Sequence, residues 1–212
     1  MSPGSSSEDG LPPAGRNTPL SLRRELTRKG LHLLSAVVPL SYAVGVSQVV
    51  VVWVLVLALA VALAVEIGRH QSVRARTLFD TNVGGLLREH ERSGPSGATW
   101  LILSLLVAAV VFPRDVAIAA MCAVALGDAA AAIIGRAIAQ GTAYRKSFGG
   151  STACFAASAI AASAIAGFAW REALLVGVLA TVAERPRRPL DDNLRIAIAV
   201  GCGILLWRMG FS

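Results

Sequence analysis

The chain has 212 residues, 55% of them hydrophobic, with a mean hydropathy of +0.63. That apolar share exceeds the roughly 45–50% of soluble domains and excludes an ordinary soluble fold. The net charge of +7 would suit a nucleic-acid binder, but its placement along the chain points to a membrane surface and to no nucleic-acid partner.

Residues 1–20, rich in Ser, Gly and Pro, read as a disordered tail, and residues 21–212 as one membrane-embedded domain. Apolar runs follow at about 31–46, 48–65, 98–112, 115–135, 151–169, 173–183 and 196–207. They predict an all-α, polytopic membrane bundle of about seven spans. The run at 173–183 is short, and reads as a half-helix or as a continuation of 151–169. Between the second and third runs, Val73, Leu78, Val83, Leu86 and Leu87 suggest an amphipathic helix lying on the inner surface, closed by the turn Gly94-Pro95-Ser96-Gly97. On the fourth run Ala119, Ala123, Gly127, Ala131 and Gly135 recur every four residues, a ridge that lets another helix approach closely. Ala153, Ala157 and Ala161 are the expected complement. Cys122, Cys154 and Cys202 lie within apolar runs without metal or disulfide spacing and read as small packing residues.

Seventeen of the 20 Lys and Arg residues fall before the first run or in alternate breaks, leaving Arg114, Arg171 and Arg208 for the other side. Basic residues concentrate on the cytoplasmic side of membrane proteins. The N-terminus and the charge-rich face are therefore expected to be cytoplasmic, at the cytoplasmic membrane if the chain is bacterial.

Three groups on that face can carry chemistry. Asp128 stands in an otherwise uncharged Ala/Ile helix, where a bare carboxylate must meet a cation, a polar cavity or a partner. Arg145-Lys146-Ser147-Phe148-Gly149-Gly150-Ser151-Thr152 opens the fifth run; it reads either as a phosphate cradle at a helix start or as a basic loop ending in a helix cap. Glu184 and then Asp191-Asp192-Asn193 form an oxygen-rich cluster suited to Mg²⁺, although a helix cap at Asp192 or Asn193 before the last run is the alternative for one of these two. Lys29 and His32 at the mouth of the first run, and Glu66, Arg69 and His70 at the second, are supporting candidates. Glu66 and His70 are one helical turn apart, close enough to pair. Such parts suit phosphoryl or nucleotidyl transfer to a lipid headgroup.

The ordered set Arg28-Lys29 with His32, Gly127-Asp128-Ala129-Ala130-Ala131 through Gly135-Arg136, Lys146-Ser147 with Gly150-Ser151, Glu184, and Asp191-Asp192-Asn193-Leu194 resembles the CTP-dependent lipid kinases. That family includes dolichol kinase, phytol kinase and the fungal-type diacylglycerol kinase. The resemblance spans about residues 23–195 and implies transfer of the γ-phosphate of CTP, with Mg²⁺, to a long-chain lipid alcohol. It implies Asp128 and Lys146 as catalytic residues, with Asp128, Asp191, Asp192 and Glu184 toward the metal. Arg145 and Lys146 would grip the phosphates, Gly149, Gly150 and Ser151 cradle them, and Asn193 orient an oxygen, with Lys29, His32, Arg136 and Ser147 in support. The family usually has an acidic residue where this chain has Gly149. Two rivals are a cytidylyltransferase resembling the CDP-diacylglycerol synthases and a small ion-coupled transporter using Asp128.

Overall fold

A computed structural model of the protein describes residues 22–87, 89–138, 147–185 and 190–211. Every regular element among them is helical, and three helices are long and apolar enough to cross a membrane: Gln48–Gln71, Arg114–Ile138 and Asp192–Gly210.

In chain order, α1 (Leu22–Leu34) and α2 (Val37–Ala43) divide the first apolar run. Pro39 explains the break: it has no N–H for the Ser35 carbonyl, and its ring crowds that turn. The chain tightens there, with Ser35 N–H donating to His32 O and Ala36 N–H to Leu33 O, each at 3.0 Å. Gly45, at φ +114°, makes the reversal into α3 (Gln48–Gln71), which Ser47 caps. Helix α4 (Val73–Asn82), capped by Ser72, and two short 3₁₀ turns follow. On α4 Val73 and Leu78 are exposed, while Leu87, beyond its end, is buried in the protein. Helix α5 (Gly97–Val111) leads to a continuous rod made of α6 (Arg114–Cys122), a π-turn (Ala123–Gly127) and α7 (Asp128–Ile138). Helices α8 (Phe148–Ala164), α9 (Trp170–Glu184) and α10 (Asp192–Phe211) complete the chain. Gly167, at φ +75°, turns the chain between α8 and α9. The 173–183 run is therefore a separate helix, antiparallel to α8: Thr181 reaches the Ser151 carbonyl and Gly177 packs on Phe155.

The rod is the axis of the bundle. Of its most apolar 18-residue stretch 78% is buried, against 17% for α3, and Ala119 through Ala125 are fully buried. Close approach depends on missing side chains. A Cβ on Gly127 would strike Ser158, and one on Gly150 would stand 2.9 Å from the Ala131 carbonyl oxygen and 3.3 Å from Gly135 Cα. The rod's ridge is thus as expected, but its complement on α8 is Gly150, Cys154 and Ser158 with Ala161; Ala153 and Ala157 are only half-buried. Cys122 and Cys154 are packing residues, whereas Cys202 is exposed.

Charged contacts divide the bundle into two ends. At one, Arg208 pairs with Asp115 and Glu172, each at 2.7 Å, and Arg114 donates to the Tyr42 carbonyl at 2.5 Å. Lys29, Asp128 and Glu66 lie toward the other.

The seam between α7 and α8 yields a stability prediction. Gly150→Ala would press on backbone and should cost about 1–3 kcal/mol. Gly149→Ala would meet only the tip of the Ile138 side chain, at 2.5 Å, and should change stability by less than about 1 kcal/mol. Thermal unfolding of the two variants in detergent tests the contrast.

Candidate functional site

Lys29 and His32 lie three residues apart on α1, so they share one face of that helix. Both are buried, as is Asp128. Lys29 Nζ donates to Asp128 Oδ2. His32 Nε2 is 3.0 Å from the Val124 carbonyl oxygen and 3.7 Å from Asp128 Oδ2. A carbonyl only accepts, so His32 Nε2 carries a proton. The π-turn is what makes this arrangement: it departs from the α ladder just before Asp128, as single-turn π segments at functional sites often do. The cation that Asp128 needs is therefore Lys29, whose own charge is spent there.

Glu184, Asp191 and Asp192 lie toward the same end of the bundle. Glu184 is the buried last residue of α9. Asp191 caps α10: its Oδ1 accepts from Asn193 N–H at 3.0 Å and its carbonyl from Arg195 N–H. The cap is thus Asp191, leaving Asp192 and Asn193 in the helix's first turn. Burial, then the adjacent Asp192 carboxylate, push the Asp191 carboxyl up from 3.8 to about 6, and the charge of Asp128 adds to this. Asn193 is buried, and among the described residues its Oδ1 meets no hydrogen-bond partner.

The expected four-carboxylate metal set needs correction. Among the described residues no three His, Cys, Asp or Glu side chains stand where they could hold one ion. Asp128 faces Lys29, while Asp191 and Asp192 form their own pair. Mg²⁺ typically takes one or two carboxylates and completes its shell with water and phosphate, so Asp191 and Asp192, beside Asn193, are the residues that would hold one.

Ser147 is a helix cap, its Oγ accepting from Gly150 N–H at 3.1 Å. With that N–H engaged and Gly150 packed into the seam, the expected Gly149–Ser151 cradle shrinks to the head of α8, at Phe148 and Gly149. Ser151 is buried, with an Oγ that lacks a partner. Arg136 lies in the last turn of α7, next to Gly135, whose Cβ position is 3.2 Å from Ser147 Oγ. Arg145 and Lys146 lie outside the described residues.

Glu66 does not pair with His70, which is exposed. Its Oε2 accepts from Arg69 Nε at 2.5 Å, and its Oε1 from Ser96 N–H at 2.8 Å and the Thr99 hydroxyl at 3.2 Å. Arg69 also donates to the carbonyls of Glu91 and Gly94. The two residues fasten the turn before α5 onto α3. The π-turn carries no motif in the sequence, and Lys29 and Asp128, 99 residues apart, have no spacing that pairs them.

Comparison of the chain with protein-family models, with curated proteins and with solved structures gives no match.

Two outcomes follow. Lys29→Met strands a buried carboxylate and should destabilise the protein by about 3–5 kcal/mol, with Lys29→Met/Asp128→Asn recovering much of the loss in a double-mutant cycle. Asp191 has a raised folded-state pKa, so its contribution to stability is whole below 3.8 and is lost as pH rises through about 6. Unfolding temperatures across that range should fall with pH in the wild type, and less steeply in Asp191→Asn.

Proposed function

We propose that the chain is a membrane-embedded lipid kinase that transfers the γ-phosphate of CTP to the hydroxyl of a lipid alcohol. The observation that carries this is the buried Lys29–Asp128–His32 centre, set at the same end of the bundle as Asp191, Asp192, Asn193 and the capped start of α8. The ordered resemblance to CTP-dependent lipid kinases supports the donor and the class of acceptor.

Seven spans follow if α1 and α2 are taken together as one, and α3, α5, the rod, α8, α9 and α10 as the rest. The distribution of Lys and Arg then puts the N-terminus and the site at the cytoplasmic face. A soluble nucleotide enters from that side, and the lipid arrives laterally.

In the proposed step the lipid hydroxyl oxygen attacks the γ-phosphorus. A new O–P bond forms, the bond from phosphorus to the β–γ bridging oxygen breaks, and CDP leaves with that electron pair. Asp128, held by Lys29, orients the hydroxyl and takes its proton. His32 supports the same carboxylate. Phosphoryl transfer asks mainly for positioning and charge neutralisation, so an ion-paired carboxylate suffices. Arg145 and Lys146 neutralise the phosphates, and Arg136 adds charge at the junction of α7 and α8. Asp191, Asp192 and Asn193 would hold Mg²⁺, with Glu184 a further carboxylate nearby; the ion supplies charge neutralisation at the β- and γ-phosphates.

CTP labelled separately at the α and γ positions tests the reaction. Lipid label from γ is expected; label from α, with pyrophosphate release, would make the protein a cytidylyltransferase, and solute uptake into liposomes without nucleotide consumption a transporter. Lys146→Ala should lower kcat by about 10²–10³-fold without lowering the unfolding temperature.

A further inference from the structure

Between α1, α3, α4 and α5 lies a cavity of about 290 Å³. Its body is apolar, walled by Leu31, Ala62, Val65, Phe79, Val83 and Leu101. Its polar wall groups are mostly engaged: Glu66 is bonded to Arg69, Ser96 and Thr99, while Arg28 Nη1 and Glu91 Oε1 both crowd Gly97. His32 is engaged as well, through Nε2 at the Val124 carbonyl oxygen, but it belongs to two places. Its ring lines the cavity and also stands 3.7 Å from Asp128 Oδ2, so the apolar chamber abuts the ionic centre through one side chain.

Two further observations specify an occupant. Leu31, Val65 and Val83 line the cavity yet are 53%, 45% and 39% exposed, so the chamber's wall reaches the apolar outer surface formed by α3. The volume lies at the lower edge of ligand pockets, about 300–1,000 Å³, which suits one hydrocarbon chain and not two side by side.

We propose that this cavity receives a single-chain lipid alcohol, its hydrocarbon among Leu31, Val65, Phe79 and Val83 and its hydroxyl at His32, facing Asp128. The inference rests on the kinase reading for its purpose, but binding can be tested without nucleotide. The chain enters from the bilayer beside α3, and Arg28, which lines the cavity, carries the sign of charge that would attract a phosphorylated product.

The test uses the full chain in nanodiscs with hexadecanol bearing a mid-chain diazirine, photolysed in the absence of CTP. Adducts are expected on Ala62, Val65, Val83 or Leu101, reduced about tenfold by Ala62→Phe, which fills the chamber. Unlabelled phytol should compete, and diacylglycerol should not. Should Ala62→Phe fail to fold by circular dichroism, Ala98→Leu narrows the chamber from α5. Adducts confined to the outward residues Trp53 and Leu57 and insensitive to both variants, or equal competition by diacylglycerol, would overturn the proposal. In turnover assays Ala62→Phe should raise KM for the alcohol about tenfold and leave KM for CTP unchanged. Cavity adducts in a protein that phosphorylates no alcohol would sink the kinase reading and leave the binding site standing; kinase activity with unchanged alcohol KM in both variants would do the reverse.

Discussion

A carboxylate inside an apolar helix bundle is tolerated only if something neutralises it, and here Lys29 does so for Asp128. The consequences reach beyond one pair. Because the two residues are far apart in sequence, their contact docks α1 against the rod, and α1 in turn supplies a wall of the apolar chamber. The π-turn belongs to the same constraint: it precedes Asp128 and presents the Val124 carbonyl to His32. Replacing such a pair by apolar residues is often neutral or stabilising, so an ionic centre buried this well is weak evidence of a purely structural role.

The two ends of the bundle use charge differently. At the end with Arg208, the contacts with Asp115 and Glu172 are partly exposed, and pairs of that kind contribute little individually. They join the start of α6, the start of α9 and the end of α10. At the opposite end the charges are buried and in part crowded: Asp191 sits beside Asp192, and Asn193 and Glu184 are covered. Burial and the crowding of like charges are the physical difference between a fastening and a candidate site.

Much of this was legible in the sequence because lipid imposes simple rules. Run length and the absence of charge located the helices, and the four-residue spacing of small side chains marked the rod's packing ridge. Ends were harder. Pro39 splitting the first run and Gly167 separating α8 from α9 are local backbone effects that hydropathy averages away. Asp128 stood out as a charge in the wrong solvent, but its partner was ambiguous, since a cation, a polar cavity or another helix could each have met it. The complement on α8 was misplaced by one residue in register, to Ala153 and Ala157, because composition there is uniformly small and only geometry selects Gly150, Cys154 and Ser158. The π-turn and the chamber leave no compositional trace at all.

Helix length carries a last consequence. Helices α5 and α9 have 15 residues each, about 22 Å at 1.5 Å per residue, against a hydrocarbon core of roughly 30 Å. If both cross a bilayer, as the proposed seven-span arrangement requires, the bilayer would have to thin to match them. Headgroups would then be drawn inward toward the depth of Asp128, and the deformed leaflet would shorten a lipid's path to the buried carboxylate.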